Sequence, residues 1–297
     1  MTPLAKARWQ INFCVLLWGF TAILGKLISL PAPALVWWRM GLVTVALLLM
    51  PRVWRGLSRL SLRLCAIYAG IGIVVALHWL TFYGAIKLAN ASVAASCMAL
   101  GSVFAALIEP VVTRRRFEPR ELALGVAVIP GVLLVAGGVP FGMRLGIVVG
   151  VISAFLTALF GTLNKRYVDQ ADPFTVTCLE LGAGALFLSL LLPWLPHVGA
   201  TFPVPGTSDA CYLLLLALGC TLLPYTLALV ALRHIRAFDA QIALNLEPVY
   251  AIALAIVLLD EQRELTPLFY AGVAILLLAV FVQPWLIRTE RTPPGID

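Results

Sequence analysis

Residues 64–88 read LCAIYAGIGIVVALHWLTFYGAIKL, a run whose single charged side chain, Lys87, stands next to its end. At 1.5 Å rise per residue, a hydrocarbon core about 30 Å thick needs roughly 20 apolar residues in a helix, so this run is long enough to cross a membrane. Outward from it, ten segments reach that length: 10–29, 34–51, 64–86, 91–112, 121–139, 145–165, 174–195, 210–232, 238–259 and 267–287. Ten spans leave roughly 9 residues for each loop and tail, too few for an extramembrane domain. The composition agrees: 62% of the 297 residues are hydrophobic and 12% charged, and mean hydropathy is +1.00. Soluble domains run at about 45–50% apolar and about 25% charged, so a water-soluble enzyme, a disordered chain and a nucleic-acid-binding domain are all excluded. The six cysteines lie in or beside apolar runs without metal-ligand spacing and read as packing residues; no cofactor or metal is expected. The first apolar run follows Lys6 and Arg8 without a small-residue cleavage site and is expected to be retained.

The net charge of +7 is carried by short gaps between the spans. Counted alternately, one side of the membrane receives sixteen Lys and Arg, among them Arg52, Arg55, Arg59 and Arg63, Arg114, Arg115, Arg116 and Arg120, and Lys165 and Arg166. The other receives Lys26, Lys87, Arg144 and Arg263. The positive-inside rule makes the sixteen cytoplasmic, puts both termini inside and requires an even number of spans, which ten satisfies. The gap from His197 to Asp209, rich in Pro and Gly and without Lys or Arg, reads as an outward-facing loop.

A shift of 146 residues lays Cys65–Ala105 over Cys211–Ala251 without a gap, with identities including Cys65 and Cys211, Ala91 and Ala237, Leu100 and Leu246, and Val103 and Val249. Charge supports the repeat: Arg114, Arg115 and Arg116 follow span 4, whereas Asp260, Glu261 and Glu264 surround Arg263 after span 9. Equivalent loops then fall on opposite faces, as they must when each half has five spans. The expected fold is an all-α integral membrane protein of ten helices, two inverted five-helix repeats at 1–140 and 141–288 around a central cavity, and a cytoplasmic tail at 289–297. Inverted repeats place a transport site at their interface near the midplane.

Four stretches in this order carry a resemblance: LLWGFTAILGK (16–26), PAPALVWWRMG (31–41), ALHWLTFYGAIKLANAS (76–92) and NLEPVYAIALAIVLLDEQ (245–262). With the ten spans and the half-chain spacing, the chain resembles the EamA family of the drug/metabolite transporter superfamily, over nearly its whole length. The resemblance implies two inverted bundles of five helices around a cavity and transport, mostly outward, of amino acids, metabolites or drug-like solutes. The Arg run after span 4 departs from the acidic ending that span 9 shares with many family repeats, so no family site is carried to Arg114.

Charges inside a span cost several kcal/mol by insertion scales and should face protein or a wet cavity. Arg39, roughly 8 Å from the outer end of span 2, either binds a carboxylate through its planar fork or snorkels outward. Glu180 lies about six residues from the cytoplasmic end of span 7, roughly 14 Å from Arg39 in depth, which excludes a direct salt bridge and leaves each to attract one end of a solute or an internal partner. His78, deep in span 3 with Trp79 and Tyr83 nearby, is a packing residue or a proton carrier. Glu247 precedes Pro248, whose missing N–H frees the carbonyl of Leu244; a kink, an exposed acceptor and a carboxylate beside Asn245 suit a coupling site, and the alternative is a neutral glutamate that fixes packing. Glu109, before Pro110 at the cytoplasmic end of span 4, is a gate or an interfacial ion pair with the Arg114 run. Trp18 and Tyr225 either stack on an organic solute or pack helices. Gly146 and Gly150 form a small-xxx-small pair expected to bring helices close.

These readings describe an inner-membrane transporter, in the exporting direction by resemblance, that moves a small organic solute by alternating access with the proton as a possible coupling ion. The rivals are an intramembrane lipid-acting enzyme, against which stand the absent HExxH and GxSxG motifs, and a flippase for a lipid-linked metabolite. The lipid bilayer and a small molecule are the expected partners, without nucleic acid. Orientation is directly testable: single cysteines at Ser58 and Glu290 in a cysteine-free background should resist an impermeant thiol reagent added outside, and one at Thr207 should react. Labelling of Ser58 from outside would reverse the topology.

Overall fold

The computed structural model describes residues 2–191, 194, 203–260, 266–275 and 278. Among them there are helices and no strands. In chain order they are α1 (Pro3–Leu27), α2 (Ala32–Leu48), α3 (Pro51–Leu57), α4 (Leu62–Leu88), α5 (Ala91–Met98), α6 (Gly101–Thr113), α7 (Pro119–Val126), α8 (Ile129–Gly137), α9 (Arg144–Tyr167), α10 (Pro173–Leu191), α11 (Thr207–Leu214), α12 (Leu223–Leu232), α13 (Ala237–Leu244) and α14 (Glu247–Leu259), with a π-helical turn, Leu215–Leu222, joining α11 to α12. Among the described residues, eight helical stretches are long and apolar enough to cross a membrane, nine if α2 and α3 are taken as one bent span. Residues 267–275 begin a further helix, and the rest of the expected tenth span apart from Leu278, like the tail at 289–297, lies outside the described residues.

Local chemistry sets the helix ends. Thr2, Ser61 and Asn90 accept hydrogen bonds from the N–H groups of Ala5, Leu64 and Val93 at 3.2, 3.3 and 2.9 Å, satisfying donors that a helix start leaves open. Pro51 fixes its own φ and forces Met50 into an extended conformation, so the helix ends at Leu48 and resumes at 93° as α3. The expected span 34–51 therefore stops at Leu48, and Pro51 already belongs to the next helix.

Two spans are broken in the same way. Span 4 divides into α5 and α6, span 9 into α13 and α14, and every boundary recurs 146 residues later: Ala91 and Ala237, Met98 and Leu244, Gly101 and Glu247, Thr113 and Leu259. Both spans end on a residue in the left-handed region, Arg114 at φ 58° and Asp260 at φ 54°. The two spans pack on each other, α5 against α14 and α6 against α13. A Cβ on Gly101 would sit 2.1 Å from Gln241 Nε2, so glycine there permits their close approach.

The most extensive helix contact is α4 on α9, followed by α4 on α10. On α9, Cβ atoms added at Gly146 and Gly150 would lie 2.7 Å from Ala89 Cβ and 3.0 Å from Cys97 Cβ, the close packing that small residues allow. On α4, a Cβ added to Gly72 would lie 2.0 Å from the backbone oxygen of Glu180, so the two backbones touch. Gly72→Ala must separate α4 from α10 and should cost about 1–3 kcal/mol. Gly70, with nothing within 4 Å, is the control. Thermal unfolding in detergent should show a lowered midpoint for Gly72→Ala and an unchanged or raised one for Gly70→Ala.

Candidate functional site

A cavity opens between the helices, and both halves of the chain line it. From the first half come Trp18 and Thr21 on α1, Arg39 on α2, and His78, Trp79 and Phe82 on α4. From the second come Thr157, Phe160, Gly161 and Asn164 on α9, Tyr225, Ala228, Leu229 and Leu232 on α12, and Glu247 at the start of α14. The α9 and α12 contributions each fall at i, i+3, i+4 and i+7, one continuous face of a helix.

Arg39 does not snorkel. It is 2% exposed, and its Nε donates to Thr221 Oγ1 at 2.6 Å while Nη1 donates to Tyr83 Oη at 2.7 Å. Its guanidinium carbon lies 3.8 Å from the centre of the Trp79 ring, a cation–π contact. Thr221 can accept from Arg39 because its own proton goes to the carbonyl of Leu216, 2.6 Å away and five residues back in the π-helical turn. That turn leads into Pro224, which has no N–H to continue an α-helical ladder. Tyr83 is fully buried behind Arg39 and outside the cavity lining, with Gly25 on α1 clearing space for its ring. Nη2 of Arg39 has no hydrogen-bond partner among the described residues.

Glu247 is buried at the break between α13 and α14 and faces the cavity without a hydrogen bond or ion pair among the described residues. Asn245, its sequence neighbour, is buried at the same break and does not line the cavity. Glu180 is fully buried on α10 behind the wall. Its Oε2 accepts from Tyr225 Oη at 2.5 Å and from Asn164 Nδ2 at 3.4 Å. Among the described residues it forms no ion pair with Arg39. His78 joins α4 to α9: Nδ1 lies 3.0 Å from the Ser153 carbonyl oxygen and 2.9 Å from Ser153 Oγ, which itself donates to the His78 carbonyl at 3.1 Å. Aromatic rings fill the remaining wall, with Trp79 and Phe160 6.3 and 6.4 Å from Tyr225 between ring centres.

Glu109 lies away from the cavity, near the C-terminal end of α6. Its carboxylate accepts from the backbone N–H groups of Ala237 and Phe238 at 3.1 and 2.8 Å and so caps the start of span 9. Its side-chain partner is Arg115, at 3.3 Å, whereas Arg114 is consumed in ending α6. Arg115 also contacts Glu121, which pairs with Arg236 at 2.5 Å, and Arg236 pairs with Asp239 at 2.9 Å. Hydrogen bonds from Arg236 to Asp239 raise the guanidinium's pKa above its ordinary value.

Thr21, Thr157, Phe160, Asn164 and Thr221 were not among the expected site residues. Thr157, Phe160, Gly161 and Asn164 carried a signal, a polar and small stripe along one face of an otherwise apolar span. Thr221 carried none, because its role depends on a π-helical turn. Among the described residues no His, Cys, Asp or Glu cluster could hold a metal, and the cysteines that were read as packing residues are free thiols.

A chain from Streptantibioticus cattleyicolor named as a probable terminal-alkyne amino-acid exporter is 28% identical over 310 residues, covering 98% of this chain and 99% of that one. A protein known from its crystal structure superposes with a TM-score of 0.66 at 18% identity, over 95% of this chain and 98% of that one, and so shares the fold. The EamA-like transporter family matches residues 10–137 and 144–293. The apolar helices and this match over nearly the whole chain make it a multi-pass membrane protein and a member of the EamA-like transporter family, within the drug/metabolite transporter superfamily.

Proposed function

We propose that the protein exports a zwitterionic amino acid, or a closely related solute, through this cavity by alternating access. The observation that carries the reading is a pair of opposite charges on one wall system: Arg39 from the first half and Glu247 from the second line the same cavity without pairing with each other. The open Nη2 donor of Arg39 matches a carboxylate, and Glu247 matches an ammonium group. A simple cation would be repelled by Arg39 and a simple anion by an ionised Glu247. Trp18, Trp79, Phe82 and Phe160 leave an apolar and aromatic space for a side chain. The relative's name, an amino-acid exporter, supports the solute class and the direction.

The recurrence of the span 4 and span 9 boundaries after 146 residues supports two repeats of opposite orientation at 1–140 and 141–288, ten spans in all. With the charge bias it also supports a bacterial-type inner membrane location with cytoplasmic termini. Glu109 and its arginines then tie spans 4, 5 and 9 together at the cytoplasmic end, where an inward gate belongs. His78, bonded to Ser153, holds α4 to α9 and shapes the wall.

Transport by purified protein in liposomes tests the reading. Wild type should carry L-leucine, and Arg39→Lys, which keeps the charge and loses the planar fork, should reduce L-leucine transport about tenfold, or about 1.4 kcal/mol. Isoamylamine, the matching amine without a carboxylate, should lose less. Equal losses for both compounds would make Arg39 structural, and no wild-type movement of any amino acid in a broad panel would remove the exporter reading.

A further inference from the structure

We infer that Glu180 binds the proton that drives export, with Tyr225 and Asn164 joining that proton to the solute cavity. The inference rests on the exporter reading and adds its energy source. Glu180 is 0% exposed and has no cation partner among the described residues. A carboxylate so placed, sealed off from the cavity that Glu247 faces, would be an unpaired charge in a low-dielectric interior, a state that buried acids avoid by taking up a proton. The hydrogen bonds call for the same proton. Oε2 has its donors in Tyr225 and Asn164, while Oε1 and Asn164 Oδ1 are both buried acceptors without a donor. A proton on Oε1 turns one of these acceptors into a donor beside a residue that offers the other.

The surroundings supply no competing charge. α4 presents the phenol of Tyr68, whose hydroxyl donates to the Tyr167 carbonyl at 2.9 Å, and the touching backbone at Gly72. α9 and α12 present Asn164 and Tyr225. The charged groups of the neighbouring elements are engaged elsewhere: Arg39 of α2 with Thr221 and Tyr83, Arg52 of α3 with Asp172, and Arg233 after α12 with the Ala171 carbonyl at 2.8 Å and with Asp169.

Tyr225 and Asn164 line the cavity and Glu180 does not, so the proton sits one side chain behind the solute. When the cavity opens to the cytoplasm and its wall is hydrated, the O–H bond of the Glu180 carboxyl breaks, its electron pair stays on Oε1, and the proton passes to water. The solute then loads. When the cavity opens outward the solute leaves and Oε1 takes a proton from the external water. One proton enters for each solute exported, which couples efflux to an inward proton gradient.

Three fluxes measured on the same vesicles test this: exchange of labelled for unlabelled L-leucine without a pH gradient, L-leucine movement driven by a proton gradient, and proton movement reported by a trapped pH dye when L-leucine is the only gradient. Wild type should show all three. In Glu180→Gln the ratio of proton-driven to exchange flux should fall at least tenfold and the dye signal should vanish. A wild-type ratio in Glu180→Gln overturns the inference, and so does a wild-type protein driven by a sodium gradient instead. An unmutated protein that exchanges L-leucine but shows no proton drive defeats the inference and leaves the exporter reading standing; an unmutated protein with neither exchange nor drive defeats the two together. Tyr225→Phe gives an independent measurement should Glu180→Gln fail to fold. It removes a donor that favours the ionised carboxylate, so the proton-driven flux should reach half its maximum at a higher cytoplasmic pH. An unshifted profile would also overturn the inference.

Discussion

A guanidinium inside a membrane has to be solvated by protein, and much of the architecture around the cavity follows from that requirement on Arg39. Its three described partners come from two elements: Thr221 from the π-helical turn before α12, and Tyr83 and the face of Trp79, one turn apart on α4. Each has its own support. Thr221 is usable because its proton is given to Leu216, and that bond exists because the helix is wound in π form before Pro224. Tyr83 reaches its position because Gly25 has no Cβ to meet the ring. The first half of the chain contributes the charge and the second half contributes an acceptor for it, so the two halves are held together at the site they enclose.

The wall is asymmetric in how it treats charge. Arg39 is partly satisfied, with Nη2 unbonded among the described residues, Glu247 is left open at a broken helix, and Glu180 is sealed behind Tyr225. A transporter needs this imbalance. Groups fully paired in the empty state would resist the solute, and groups left entirely open would make the empty state too costly to populate. Glu109 shows the opposite economy. Its buried carboxylate is fixed by two backbone N–H groups and Arg115, while the outer links of that network, through Arg236 and Asp239, are partly exposed and contribute little each. The strength of that contact is therefore concentrated in the cap on span 9. Ser29 and Asp209 join α11 to the end of α1, with the Ser29 N–H and hydroxyl donating to the carboxylate at 3.0 and 2.6 Å.

The membrane class and most span positions were legible because a bilayer dictates length and apolarity directly. The break in span 9 was legible too, since Pro248 removes a donor; its twin after Met98 was not, because Leu100 and Gly101 carry no such mark. Arg39, Glu180 and Glu247 stood out because charge is rare in lipid-facing sequence. Their partners did not. Which arginine of the run would reach Glu109 depended on which residue ended α6, and the backbone of Arg114 took that role. Asn164 lay on a readable stripe with Phe160, whereas the Thr221 link required a π turn that no local pattern announces.

Binding of three matched ligands to the purified wild-type protein, measured by titration calorimetry in detergent, tests most directly whether Arg39 and Glu247 together form a zwitterion site. The ligands share one carbon skeleton: L-leucine, isoamylamine without the carboxylate, and 4-methylpentanoate without the amine. Engagement of both charges predicts that L-leucine binds at least tenfold more tightly than either analogue, about 1.4 kcal/mol for each lost partner. An analogue that binds as tightly as L-leucine would contradict the account, because the wall charge facing its missing group would then play no part in recognition.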